Sequence, residues 1–163
     1  MKIYYSRSSN QVRVITLTAI LLAFLICLSV VFGIDKTYYH IGGFAVCFIV
    51  AGSVLYLYFN SLKKVFIKND HIVLKKKLGK IEIPLKDIQS VECLGFSNLT
   101  MTFGSKGVFG FIGNIMDNCQ SYVKDRRNIL QIDTAKQNYL FSVEYPSQLI
   151  HEIKKHPQFK AQS

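Results

Sequence analysis

Three glycines, Gly107, Gly110 and Gly113, recur every third residue in the stretch GSKGVFGFIGN, Gly104 to Asn114. Glycine lets backbone N–H groups come close to an anion, and such runs cradle phosphates where they open a helix. Nothing after this run looks like a helix whose N-terminus would hold an anion against it, and Lys106 is its only neighbouring cation. A P-loop needs Gly-Lys followed by Ser or Thr, which occurs nowhere in the chain, and the Gly-x-Gly-x-x-Gly spacing of dinucleotide sites is missing too. The glycines therefore read as bulges or tight bends, with Val108, Phe109, Phe111 and Ile112 partly in a core. The alternative is an apolar loop, led by Phe109 and Phe111, that dips toward a membrane or meets a partner.

Other chemistry is as poorly supported. His40, His71, His151 and His156 do not pair at metal-ligand spacing, His151 and Glu152 form no HExxH, and no carboxylates cluster. Asp117, Asp125 and Asp133 lack a calcium-loop pattern, and Ser105 lacks the Gly-x-Ser-x-Gly elbow. No catalytic residue, metal or cofactor is expected, and the chain does not read as an enzyme.

Charge is the stronger signal. From Asn60 onward sixteen Lys and Arg face nine Asp and Glu, a net of +7. Lys75, Lys76, Lys77 and Lys80 form the densest cluster, and Lys63 and Lys64 lie just upstream. These lysines either touch anionic lipid headgroups or form a solvated turn that protects an edge strand. Nucleic acid is not expected as a partner, because the basic residues lack interleaved aromatics and no nucleic-acid motif is present.

Two apolar runs explain why a lipid surface is near. Val14 to Ile34 and Ile41 to Phe59 hold no charged residue, and at about 1.5 Å per residue each is long enough to cross a hydrocarbon core of about 30 Å. A signal peptide fits the first run less well, since it is long, has no Ala-x-Ala cleavage site and is soon followed by a second run. Two buried core helices would leave too little protein to surround them. Lys2, Arg7 and Arg13 precede the first run and Lys63, Lys64 and Lys68 follow the second, so the positive-inside rule places both termini in the cytoplasm. Tyr38, Tyr39, Tyr56 and Tyr58 fit interfacial positions. Ala19, Ala23 and Cys27 on the first helix, and Gly43, Cys47 and Ala51 on the second, form stripes of small residues spaced by four. Such stripes let helix backbones approach, here within one hairpin, with contacts in a homo-oligomer as the rival. Cys93 and Cys119 read as reduced thiols, a disulfide being the alternative in an oxidising compartment.

The expected organisation is a cytoplasmic segment at 1–13, spans at 14–34 and 41–59 around a short external loop at 35–40, a domain at 60–155 and a tail at 156–163. Within the domain, Lys64–Lys68 and His71–Lys76 alternate about Asn69-Asp70, a two-residue hairpin signal. Strands are also expected at 80–85, 90–96, 98–103, 121–125, 128–133 and 139–143. Leu149, Ile150 and Ile153 then share a helical face behind Pro146. About seven antiparallel strands and one helix describe a small β-barrel, or two packed sheets, with an open end plugged by the helix.

Ile83, Leu85, Ile88 and Val91 match the phrase Ile-x-Leu-x-x-Ile-x-x-Val, and Gly107, Phe109, Gly110, Phe111 and Gly113 match Gly-x-Phe-Gly-aromatic-x-Gly. In this order, behind two hydrophobic segments, they resemble the bacterial pleckstrin-homology (PH-like) membrane proteins over roughly 62–155. The resemblance implies a membrane-anchored PH-like α+β protein of the bacterial cytoplasmic membrane, a non-enzymatic scaffold or interaction module that binds another protein. Binding of anionic lipid through the basic hairpin is the alternative. Phosphoinositide recognition is not carried over from eukaryotic relatives, because the loop they use is here only Asn69-Asp70 beside Lys68.

Overall fold

The computed structural model describes residues 2–32, 37–95, 101–115 and 118–159. The elements run β1 (Ile3–Tyr5), α1 (Asn10–Phe32), α2 (Thr37–Asn60), β2 (Leu62–Lys68), β3 (His71–Lys76), β4 (Lys80–Pro84), one 3₁₀ turn (Leu85–Asp87), β5 (Ile88–Leu94), β6 (Met101–Lys106), β7 (Phe111–Ile115), β8 (Cys119–Val123), β9 (Ile129–Thr134), β10 (Asn138–Ser142) and α3 (Pro146–Lys155). Helices α1 and α2 are long and apolar enough to cross a membrane. Of the expected loop at 35–40, Thr37 to His40 belong to α2. Residues 33–36, and the side chains of Tyr38 and Tyr39, lie outside what is described.

The strands form two open sheets, ordered β1-β2-β3-β4 and β5-β9-β10-β8-β7-β6. The expectation of a closed barrel of about seven antiparallel strands is thus corrected. Pro84 and the 3₁₀ turn after it divert the chain between β4 and β5 into different sheets, so the meander does not continue. The β9–β10 hairpin inserts between β5 and β8, which makes β10 parallel to β8. A strand that the sequence reading missed, β7, occupies Phe111–Ile115, inside the glycine run. Residues 98–100 of the expected strand at 98–103, Phe96, and 160–163 of the expected tail lie outside the described residues.

A second correction concerns the N-terminal segment. It is not a separate piece, because β1 extends the first sheet by pairing antiparallel with β2, Tyr4 opposite Val65. Tyr4 is buried, and its hydroxyl donates to Glu152 of α3 at 2.6 Å. The chain therefore enters the sheet, leaves through α1, returns through α2 and re-enters beside its own first strand.

The core lies between the sheets and under α3. Leu62, Val65, Ile72 and Leu74 meet Ile88, Leu130, Ile132 and Phe141 there, all buried. Leu149 and Ile153, fully buried on α3, together contribute about 3–6 kcal/mol to holding that helix across the open end. Asn69 and Asp70 both adopt positive φ, the conformation a two-residue hairpin turn requires, and fix the β2–β3 register on which the lysine positions depend.

Candidate functional site

Three separate contacts bind the domain to the foot of the helix hairpin. Ser9 starts α1: its hydroxyl accepts from the Val12 N–H, and its own N–H donates to the Lys124 carbonyl at 3.0 Å, just past β8. The turn between β3 and β4 closes the other helix. There the Leu78 N–H donates to the Phe59 carbonyl at 2.9 Å and the Lys77 N–H to the Ser61 carbonyl at 3.0 Å, meeting C-terminal groups of α2 that a helix leaves unsatisfied. The third contact is the β6–β7 turn. Gly107 and Gly110 exchange backbone hydrogen bonds across it, and Val108 and Phe109 form its tip. The Thr16 hydroxyl of α1 donates to the Val12 carbonyl and accepts from the Phe109 N–H at 2.8 Å, while the Phe109 ring meets Tyr58 of α2 edge-on at 5.5 Å.

The glycine run thus has two roles, neither of them at a helix N-terminus. Gly104 and Gly113 are cross-strand partners with positive φ, and a Cβ on either would strike the carbonyl of the facing strand. Phe109 faces the helix hairpin. Phe111 instead packs against a small cluster of Cys119, Val123, Ile129 and Leu140, with the Arg126 guanidinium 5.3 Å from its ring centre.

The register sorts the six candidate lysines into two groups. Lys64, Lys75 and Lys80 are aligned across β2, β3 and β4, a row of like charges on neighbouring strands. Such rows are destabilising in isolation. Glu82 relieves only Lys80, and the Lys80 ammonium beside it holds the Glu82 carboxyl below its usual range. The Lys64 ammonium lies 5.6 Å from the Phe66 ring centre. Lys63, Lys76 and Lys77 gather instead at the end of α2. The Lys77 ammonium sits 3.4 Å from the Tyr58 ring centre, and the Lys76 ammonium donates to Asn60 Oδ1 at 3.0 Å and lies 5.8 Å from the Tyr122 ring centre. Among the described residues, no carboxylate makes an ion pair with Lys63, Lys64, Lys75, Lys76 or Lys77.

Lys124, which the sequence reading overlooked, lies behind this group. It is 8 % exposed, and burial first, then the neighbouring Lys77 charge, push its amine down to about 8. Burial likewise pushes the Tyr122 phenol up to about 12. Nothing in the sequence around Lys124 signals burial, since it follows a five-residue strand as an ordinary turn lysine would. Thr16 did carry a signal, as a polar residue in an apolar run.

The small-residue stripes only partly coincide with the helix contact. The thiols of Cys27 and Cys47 are neighbours, and Gly43 lies against Val30. Ala19 and Ala23 are half-buried, but Ala51 is exposed, and Val50, Val54 and Leu57 are the half-buried residues nearest it on α2. Among the described residues, no group of His, Cys, Asp and Glu is arranged to hold a metal ion. Cys93 is exposed on β5, and Cys119 is buried on β8.

Residues 63–156 match the family model described as Bacterial PH domain, more than half of the chain. The chain belongs to the bacterial PH domain family. No curated protein and no solved structure matches it. The match covers β2 to the end of α3, so the PH domain here gains one strand, β1, from outside the matched region. A PH domain is a binding module, and no catalytic family is indicated.

Proposed function

We propose that this chain is a membrane-anchored, non-catalytic binding module whose hairpin crosses the bacterial cytoplasmic membrane with both ends inside. Its PH domain lies against the anionic cytoplasmic leaflet. The observation that carries this reading is the lysine row Lys64–Lys75–Lys80, held near a turn that caps the end of a helix apolar enough to span. A row of like charges is stabilised when an anionic surface faces it, by up to about 1 kcal/mol per lysine before screening. The test is thermal unfolding of the full-length chain in neutral and in partly anionic nanodiscs. The midpoint rises with anionic lipid, falls back as salt shortens the Debye length from about 10 Å to about 3 Å, and loses most of its lipid dependence when Lys64, Lys75 and Lys80 become Gln. A lipid dependence undiminished by the triple substitution refutes the assignment to this row.

A second reading, a protein partner, is favoured by a cleft of about 820 Å³ at the other end of β4, lined by Pro84, Lys86, Asp87, Gln89, Lys136 and Tyr139. Its mixed charges suit a polar protein surface better than a leaflet. Crosslinking from Lys136 in native membranes distinguishes the two: a discrete protein adduct lost on Tyr139→Ala supports the cleft, and its absence counts against it.

A further inference from the structure

A groove of about 820 Å³ runs between α2 and β6, lined by Ile49, Gly52, Ser53 and Tyr56 on one side and by Thr102 to Ser105 on the other. Strand β6 is an edge of the second sheet, and Phe103 on it is 76 % exposed. Gly52 widens the groove, since a Cβ there would meet nothing within 4 Å. The α2 wall from Ile49 to Tyr56 is about 10 Å long and lies within the stretch that is apolar enough to span. At its Tyr56 end the chemistry changes. Tyr56 is close enough to the Tyr122 phenol to influence it, and Lys76 lies over the Tyr122 ring, with Lys77 close by over Tyr58.

We propose that this groove holds one acyl chain of an anionic glycerophospholipid, whose phosphate rests on Lys76 and Lys77. The proposal relies on the membrane placement given above and adds a specific bound lipid to it. Charge complementarity selects the occupant: an apolar trough ending in two lysines without carboxylate partners among the described residues matches an amphiphile with one anionic end.

The chain contains no tryptophan, so a single one reports its own surroundings. Phe103→Trp, at an exposed position, and Leu21→Trp, exposed on α1, are each placed in the full-length chain. They are reconstituted into phosphatidylcholine vesicles containing a minority of acyl-brominated lipid with either a phosphatidylglycerol or a phosphatidylcholine headgroup. The proposal expects Leu21→Trp to be quenched equally by both, and Phe103→Trp to sense the anionic lipid at no less than about fivefold its bulk share, the effect of a single one of the two lysines near an anionic surface. Adding Lys76→Gln and Lys77→Gln abolishes that preference. Equal quenching of Phe103→Trp by both lipids, or a preference that survives the lysine changes, overturns the proposal. Quenching of Leu21→Trp without any of Phe103→Trp means that another occupant, such as a second copy, covers β6, and also overturns it. No quenching of either overturns the membrane placement itself.

Discussion

Replacing Lys124 by Met should stabilise this protein. The residue is 8 % exposed, and its amine falls from the usual 10.5 to about 8 because the charged form is poorly solvated and faces Lys77. At about 1.4 kcal/mol for each tenfold loss of proton affinity this is about 3 kcal/mol, and its residual exposure brings the working figure to about 2–3 kcal/mol. The sign follows from proton counts. Below pH 8 the amine is protonated in both states, so the folded state bears the whole penalty. Between about 8 and 10.5 the unfolded chain holds more protons than the folded one, and stability rises with pH. Tyr122, raised to about 12, acts oppositely: above pH 10 the unfolded chain loses its phenolic proton first and stability falls. The Lys124 effect is therefore read between pH 8 and 10, below the onset of the Tyr122 effect. Thermal unfolding of the full-length chain in neutral detergent should show the wild-type midpoint rising across that window. The rise should be smaller in Lys124→Met, whose midpoint should be higher by roughly 10 °C at pH 7. Lys77→Gln, which removes the neighbouring charge, should move the wild-type rise to higher pH. A lower midpoint for Lys124→Met at neutral pH, with a flat wild-type profile, refutes the reasoning and means that the ammonium makes a favourable contact.

Four further substitutions probe the foot of the hairpin and the strands around it. Gly104→Ala or Gly113→Ala places a methyl group against a facing carbonyl at positive φ and should cost at least about 2 kcal/mol; a neutral result in chemical denaturation would mean that β6 and β7 are not paired in this register. Thr16→Val deprives the Phe109 N–H of its acceptor, at about 1–3 kcal/mol, and should speed hydrogen exchange at Phe109, whereas unchanged exchange would detach the turn from α1. Tyr4→Phe removes the bond to Glu152 that ties β1 to α3 and should lower stability by about 1–2 kcal/mol, with proteolysis of the first residues as the readout; resistance equal to wild type would show that β1 is held by its backbone ladder alone.

Periodicity exposed the elements whose partners are close in sequence. Alternation about Asn69-Asp70 located β2 and β3, and Pro146 with Leu149 and Ile153 located α3 at the bounds observed. It could not expose β1, whose three residues are too few to set a period and whose partner, centred on Val65, lies beyond both long helices. Strand β7 was hidden for a different reason. Its Gly113 has no side chain to alternate, being there to let β6 come close, so a paired strand looked like a bend. The parallel pairing of β8 with β10 depends on which gap the β9–β10 hairpin enters, and no local pattern encodes that. Of the site, sequence proximity marked Lys75, Lys76, Lys77 and Lys80 as one cluster, yet pairing divides them, because Lys75 is flanked by Lys64 and Lys80 on the neighbouring strands while Lys76 turns to Tyr122 of β8 and Lys77 to Tyr58 of α2.

That division matters because of how the domain is attached. A domain hung from one linker would swing, and each weak lysine contact would first have to restrict that motion. Here α1 and α2 lead to strands that are hydrogen-bonded neighbours, the β3–β4 turn is bonded to the end of α2, and the β6–β7 tip is bonded to Thr16. These anchors lie on different elements, so a hinge at one is opposed by the others. With the orientation set by folding, contacts of about 1 kcal/mol each can add along the row instead of being spent on ordering the domain. Loosening a single anchor, as Thr16→Val does, should therefore weaken the lipid dependence of the intact lysine row. If that dependence persists undiminished while the Phe109 amide exchanges freely, the tip is not one of the contacts that set the orientation.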